Sequence, residues 1–343
     1  MKRSVAVFAL AFFSFFIVSE AVFAQRGGRS QGETVEVRLA SPMPRNSDWG
    51  RALDRIAAEW ARVTNNEVRL RIIHDGVEGG ESKMLSSLSA NNIQAALLTS
   101  FGIAEICPAV MTLSVPFMIR SDVEFDLVLK DTLPALESQI NRTNFAVVAW
   151  ANGGWVNIFS KEPVFTPDDL RRHKIATGPE ATDLNTAFKT MRFHLVETDM
   201  NDLGPRLANN VINSIYQTPA AVVPLGLHRN LGNMLDIPIA PFMGAIIMNR
   251  VTWNRLGPDR QREIARVTQS IAAEFTSTMP RMVDNAVAVM QRDGLKVNKV
   301  SPAQEELWRA ELYKAMPLLL GTTFDRDIYQ RINEILERYR GGQ

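Results

Sequence analysis

Apolar and polar residues alternate through Val35, Val37 and Leu39 against Thr34, Glu36 and Arg38, the period of a strand with one buried face. Pro42 and Pro44 end that strand, because proline neither donates to a ladder nor lets its predecessor enter a helix. The spacing changes at Ser47: Trp49, Leu53, Ile56, Trp60 and Val63 recur every three or four positions, which predicts a helix that Asn65 and Asn66 stop. Val68, Leu70 and Ile72 predict a second strand, residues 76–80 a glycine-rich loop, Met84, Leu85 and Leu88 a helix, and residues 93–99 a buried strand. Further strands are predicted at 145–150, 155–160, 174–177, 194–197 and 211–216, with helices at 181–190 and 201–209. Strand and helix in alternation imply α/β lobes with largely parallel sheets.

One stripe is longer than a lobe. Ile264, Val267, Ile271, Phe275, Met279, Met282, Ala286 and Val289 keep helical spacing over residues 259–291, roughly 50 Å at 1.5 Å per residue. Pro280 lies in its middle and predicts a kink or a break. Two arrangements fit: one helix shared by two lobes, or two helices in a hairpin.

The start of the chain has the pattern of a secretory signal: Lys2 and Arg3, an apolar run over 5–18, and a small-residue site at Val22-Phe23-Ala24. That run is about 14 residues, short of the roughly 20 that span a bilayer. Cleavage leaves a chain that begins near Gln25 and is soluble in the periplasm. The glycine-rich residues 25–33 read as a flexible leader. Of 38 basic and 37 acidic residues, Lys2, Arg3 and Glu20 leave with the signal, so the remainder carries 36 of each. A neutral chain without a basic, aromatic-interleaved cluster does not fit a nucleic-acid partner. Its one cysteine, Cys107, excludes an internal disulfide and a cysteine-built zinc site. The remaining 319 residues exceed a comfortable single core and indicate two lobes.

No catalytic or cofactor signature accompanies this scaffold. His74, His173, His194 and His228 are scattered as surface or loop residues, with no pair at metal-ligand spacing. Gly76, Gly79 and Gly80 fit neither a phosphate loop nor a dinucleotide fingerprint, and no nucleophile elbow occurs. Cys107 before Pro108 reads as a packed thiol. No convergent acid and base can be named, so no enzyme and no cofactor or metal are expected.

Several segments, weak singly and specific in this order, resemble the periplasmic solute-binding proteins of TRAP (tripartite ATP-independent periplasmic) transporters, dicarboxylate-binding type. They are Asp48-Trp49-Gly50, Val115-Pro116-Phe117-Met118, Ala151-Asn152-Gly153-Gly154-Trp155 and Thr166-Pro167-Asp168-Asp169-Leu170. His173-Lys174-Ile175-Ala176, Thr198-Asp199-Met200-Asn201-Asp202 and Trp253-Asn254-Arg255-Leu256 complete the set, and the likeness covers about residues 35–312. The resemblance implies the two-lobed α/β periplasmic binding protein fold, with hinge strands and a long kinked helix spanning both lobes. On that fold, lobe I takes 34–152 and 240–279, and lobe II takes 153–239 and 280–335. It also implies a small-molecule ligand between the lobes and delivery to TRAP permease subunits in the inner membrane. Strand-end geometry independently places a site there.

Two positions depart from the family. The arginine that pairs with a substrate carboxylate in the family falls at Ala176, and a second family arginine falls at Trp155. Each charged hydrogen bond of such a pair contributes about 1.5 to 3 kcal/mol. Two readings follow. In the first the ligand is largely apolar or aromatic, held by Trp155, Tyr216, Met200 and Met43 and oriented by Gln217, Asn152 and Thr177, with Ala176 and Ser100 completing the lining. In the second an organic acid meets a relocated arginine, Arg45, Arg171, Arg172 or Arg206. One branch of the family lacks the carboxylate-binding arginine and works with a periplasmic tetratricopeptide-repeat protein besides the permease. The chain resembles that branch. A sensory or scaffolding periplasmic protein would use the same fold without a permease.

Overall fold

In a computed structural model, residues 34–178 and 182–342 are described; the signal segment 1–24 and the leader 25–33 lie outside the described residues. The chain opens with β1 (Val35–Ala40), α1 (Asp48–Val63), β2 (Val68–Ile73), α2 (Glu81–Ser89), β3 (Ala95–Thr99), α3 (Ser100–Ala104) and α4 (Asp122–Ile140). It continues through β4 (Phe145–Ser160), α5 (Pro167–Arg171), β5 (Lys174–Thr177), α6 (Thr182–Thr190), β6 (His194–Glu197), α7 (Leu203–Ala208), β7 (Ser214–Gln217) and α8 (Pro219–Val222). It closes with β8 (Asn233–Leu235), β9 (Ala240–Asn249), α9 (Arg250–Arg255), α10 (Pro258–Arg292), β10 (Lys296–Asn298), α11 (Pro302–Tyr313), α12 (Met316–Leu319) and α13 (Arg326–Gly341).

Local signals account for the first of these. Ser47 caps α1 by accepting from the Gly50 amide, and Trp49, Leu53, Ile56 and Trp60 form its buried face. The strands run β2-β1-β3-β9-β4-β7-β5-β6, with β8 beside β4 and β10 beside β8. The sheet is mixed where a largely parallel one was expected. Strands internal to a lobe are parallel, β1 with β2 and β3, and β5 with β6 and β7. Each antiparallel pair involves one or both of the long strands β4 and β9.

β4 is one strand of 16 residues where the residue pattern predicts two. It pairs with β9 from Phe145 opposite Asn249 to Val156 opposite Ala240, then turns to β7 and β8 over Asn157 to Ser160. Gly153 and Gly154, which lie between the two predicted strands, occupy a register shift between Asn152 and Trp155. Gly154 has φ +88°, and a Cβ on it would stand 3.2 Å from Met279 Cγ; a Cβ on Gly153 would stand 2.5 Å from Phe242 Cδ1. The glycine pair therefore lets α10 close on one face of the crossing strand and Phe242 on the other.

α10 settles the choice left by its periodicity: it is a single helix of 35 residues that continues through Pro280. Ile264, Val267, Ile271, Phe275 and Met279 share a core with α1, β1 and β2, and the Trp60 indole donates to Thr268 Oγ1 at 2.8 Å inside it. Ala286 and Met290 pack with Leu203, Leu207 and Ile215 of the second lobe. The residues after α10 join two different cores. Trp308 and Leu312 of α11 pack with Leu170 and Ile175, whereas Ile328, Ile332 and Leu336 of α13 join Phe125 and Val128 of α4 in the first lobe. Arg340 of α13 reinforces that return by pairing with Glu124 at 2.8 Å.

Gly154→Ala should lower unfolding stability by about 2 kcal/mol, from the positive φ and the Met279 contact together. Gly257, at φ +77° with open space around it, supplies the control and should cost about 1 kcal/mol as alanine. Urea midpoints at constant m measure both, and equal losses would remove the helix contact from the account.

Candidate ligand-binding site

The carboxyl ends of the parallel strands of both lobes meet at one cleft of about 120 Å3. The first lobe contributes Pro42 after β1, Gly79 to Met84 around the start of α2, Thr99 and Phe101 after β3, and Phe242 of β9. Facing them are Ala176, Thr177 and Gly178 at the end of β5, Thr198 to Asn201 after β6, and Ile215, Tyr216 and Gln217 of β7. The lobes touch at its rim. Asn201 Nδ2 donates to the Gly76 carbonyl at 3.1 Å, and a Cβ on Gly80 would meet Asp199 Oδ1 at 2.8 Å.

Much of the polar lining is already engaged. Thr177 Oγ1 donates to Asn185 Oδ1 at 2.5 Å, and Gln217 Oε1 accepts from the Thr218 amide at 2.9 Å. Glu81 accepts from the Thr99 amide at 2.5 Å, from Thr99 Oγ1 at 2.6 Å and from the Gly102 amide at 3.1 Å. Glu81 and Asp199 are the charged side chains of the lining among the described residues, and both are acids.

A second cavity of about 190 Å3 lies behind the cleft and shares Phe101, Val156, Ala176, Thr177, Gly178, Tyr216 and Phe242 with it. The Tyr216 phenol has no hydrogen-bond partner among the described residues, and burial pushes it well above its usual range.

Of the side chains singled out from the sequence, Ala176, Thr177, Met200, Tyr216 and Gln217 come together on the cleft. Ser100 lines the inner cavity, its hydroxyl donated to the Met243 carbonyl at 3.2 Å. Three others lie off both cavity linings. Met43 is 3% exposed in the core with Trp49 and Leu53, because the turn after β1 folds it inward. Asn152 spends its Oδ1 on the Gly154 amide at 2.8 Å, holding the bulge of β4. Trp155 follows that bulge away from the cleft, packs on the first lobe's core and donates its indole N–H to Asp122 Oδ1 at 2.8 Å.

None of the four candidate arginines lines either cavity. Arg171 pairs with Asp168 and Glu311, Arg172 with Asp169, and Arg206 donates to the Glu197 carbonyl at 3.0 Å. Arg45 is exposed on the turn beyond Pro44. His74 and His173 are buried instead of lying on the surface, His74 against Asp54 at 3.1 Å and His173 against the Asp169 carbonyl at 3.0 Å. Burial likewise raises the Cys107 thiol. Phe101, Phe242 and Glu81 are site residues that the sequence pattern does not distinguish from core and helix-start positions. Their only signal is adjacency to a strand end.

Among the described residues no three His, Cys, Asp or Glu side chains are grouped to hold a metal, and no helix is long and apolar enough to cross a membrane. Residues 39–317 match the DctP family, bacterial extracellular solute-binding protein family 7. A solute-binding protein of Sulfitobacter sp. (strain NAS-14.1) is 23% identical over 247 residues, 71% of this chain and 74% of that one. The 2,3-diketo-L-gulonate-binding periplasmic protein YiaO of Escherichia coli (strain K12) is 22% identical over 211 residues, 60% of this chain and 63% of that one. In fold, the chain is similar to the crystal structure of a TRAP periplasmic solute-binding protein from Sulfurospirillum deleyianum with bound succinate. The TM-score is 0.81 at 14% identity, covering 88% of this chain and 99% of that one. With a match that runs from β1 to α12 over two lobes and a strand-end cleft, the chain belongs to bacterial extracellular solute-binding protein family 7, substrate-binding receptors of transporters and not enzymes.

Proposed function

We propose that this receptor captures a small, uncharged and largely apolar or aromatic ligand in the interlobe cleft and delivers it to TRAP permease subunits in the membrane. The observation that carries the proposal is the charge of the lining: Glu81 and Asp199 are present, and Ala176 stands where the resemblance expects a guanidinium. A carboxylate ligand would forgo charged hydrogen bonds of about 1.5 to 3 kcal/mol each and would sit beside two acids that repel it. Apolar surface needs no such partner. Removing about 200 Å2 of it from water contributes roughly 5 kcal/mol at about 25 cal/mol per Å2.

The organic-acid reading draws on relatives named for succinate and 2,3-diketo-L-gulonate. Identities of 14% and 22% carry a fold but not the chemistry of a pocket wall. The proposal extends, on the residue pattern at the start of the chain, to export by a cleaved signal at residues 1–24, and, through the resemblance alone, to a periplasmic tetratricopeptide-repeat partner, which a pull-down tests. Adjacent permease genes would separate a transporter receptor from a sensory or scaffolding protein.

Succinate at 1,000 times a micromolar dissociation constant would raise stability by about 4 kcal/mol if it bound. Millimolar succinate is expected to leave the melting temperature unchanged, while native mass spectrometry of protein purified without refolding finds a neutral ligand. A saturable succinate shift would defeat the uncharged-ligand reading. Asn201→Ala should remove the rim hydrogen bond to Gly76 and about 1 kcal/mol of closed-state stability, speeding release of the co-purified ligand roughly fivefold. Stopped-flow dissociation reads this directly, and an unchanged rate would show that the rim contact does not hold the closed form.

A further inference from the structure

The cavity behind the cleft differs from it in kind. Its walls include Met111, Phe188, Phe193, Trp308 and Phe324, and no charged side chain appears among its described lining residues. Packed interiors rarely keep a space larger than a water molecule, because side chains around such a space lack contacts on that side. This one, at about 190 Å3, exceeds the roughly 150 Å3 of an engineered apolar cavity that takes up benzene. It is also no isolated packing fault. It opens to the cleft past Phe101, Phe242 and Tyr216, which border both spaces.

We infer that this cavity is a tail pocket, and that the ligand is an elongated amphiphile whose hydrocarbon end passes between Phe101 and Phe242 while its neutral polar end stays in the cleft. This rests on the cleft being the ligand site. By proportion with benzene in 150 Å3, the pocket accommodates about eight carbons, as a chain or a substituted ring. Tyr216 stands at the neck with a phenol that can donate to a polar atom there, and its desolvation keeps that proton in place. The hydroxyl of Ser100 and that of Ser114 point their donors at main-chain carbonyls, of Met243 and Pro241, each at 3.2 Å. The inner wall therefore selects by shape and length. Its side chains also come from two different cores, Met111 and Phe324 from one, Phe193 and Trp308 from the other. A tail lodged there contacts both and favours the closed form.

The test is a titration of the mature chain with butan-1-ol through decan-1-ol, followed by ligand-observed NMR. The dissociation constant is expected to fall about fourfold per added methylene until about octanol and then to level, because further carbons find no apolar wall. Leu184, on α6, borders the cavity, and Leu184→Trp should fill it and flatten that slope. A flat series in the unmodified protein, or a slope that Leu184→Trp leaves intact, overturns the tail pocket. Toluene keeps the question open to refutation should the variant not fold: saturable toluene binding that octanol displaces supports the pocket, and its absence removes it. Failure here is separable from failure of the receptor reading. A flat alkanol series alongside a neutral co-purified ligand discards only the pocket, whereas saturable succinate binding discards the uncharged ligand.

Discussion

β4 belongs to both halves of the sheet, and the rest of the molecule is arranged around that fact. Its first stretch hydrogen-bonds to β9 and its last four residues to β7 and β8, so neither lobe can complete its sheet without the same strand. A backbone shared in this way limits relative lobe motion to bending where the ladder is already irregular. The ladder shifts register between Val147 and Ala149 and again between Asn152 and Trp155, and at the second shift Gly154 holds a positive φ. α10 lies across the same point with Met279 against Gly154, while its two ends are buried in different cores. The hinge is thus braced by a helix that both lobes have stakes in, and bending must be accommodated near Pro280, where one intrahelical hydrogen bond is already missing.

The chemistry of the cleft follows from which strand ends reach it. The short parallel strands β5, β6 and β7 end at Thr177, Glu197 and Gln217, and of the residues just before those ends Ala176 and Tyr216 line the cleft. The acid in the opposite wall has a structural duty: Glu81 ties the start of α2 to the β3–α3 junction through three hydrogen bonds. Among the described residues the lining holds Glu81 and Asp199 and no lysine or arginine side chain, so it offers an anion no charge-assisted donor. Receptor architecture and ligand charge are therefore separate matters in this fold, the first resting on β4 and α10 and the second on a few side chains at strand ends.

The residue pattern made the regular elements of the first lobe legible because each buries one clean face: Trp49, Leu53, Ile56 and Trp60 on α1, Val37 and Leu39 on β1. It failed where two faces are buried or where a local signal has a nonlocal meaning. β9 is apolar throughout and carries no period. Gly153 and Gly154 lie between two predicted strands, yet they serve a close approach of Phe242 and Met279 that only the tertiary structure reveals. α4 has a helical stripe of Phe125, Val128, Thr132, Leu136 and Ile140 that Pro134 obscures. In the cleft, Ala176 and Tyr216 could be named through the family resemblance and not from the residue pattern. Phe101 and Phe242 could not, since an aromatic residue in an apolar run looks the same whether it faces a core or a ligand.

Trp155 shows how one residue of register decides a chemical argument. Successive side chains of a strand face opposite sides, so the direction of Val156 fixes that of Trp155. Val156 is 2% exposed and borders both cavities, which sends Trp155 outward to Asp122 at the start of α4. The indole then works as a tie between the crossing strand and the first lobe, and the apolar character of the cleft rests on Ala176, Phe101, Phe242 and Tyr216 without it. The same alternation places a branched apolar side chain at the join of the two cavities. A ligand that threads the join contacts the hinge strand itself, so recognition and lobe closure share a residue and need no signal carried between distant sites.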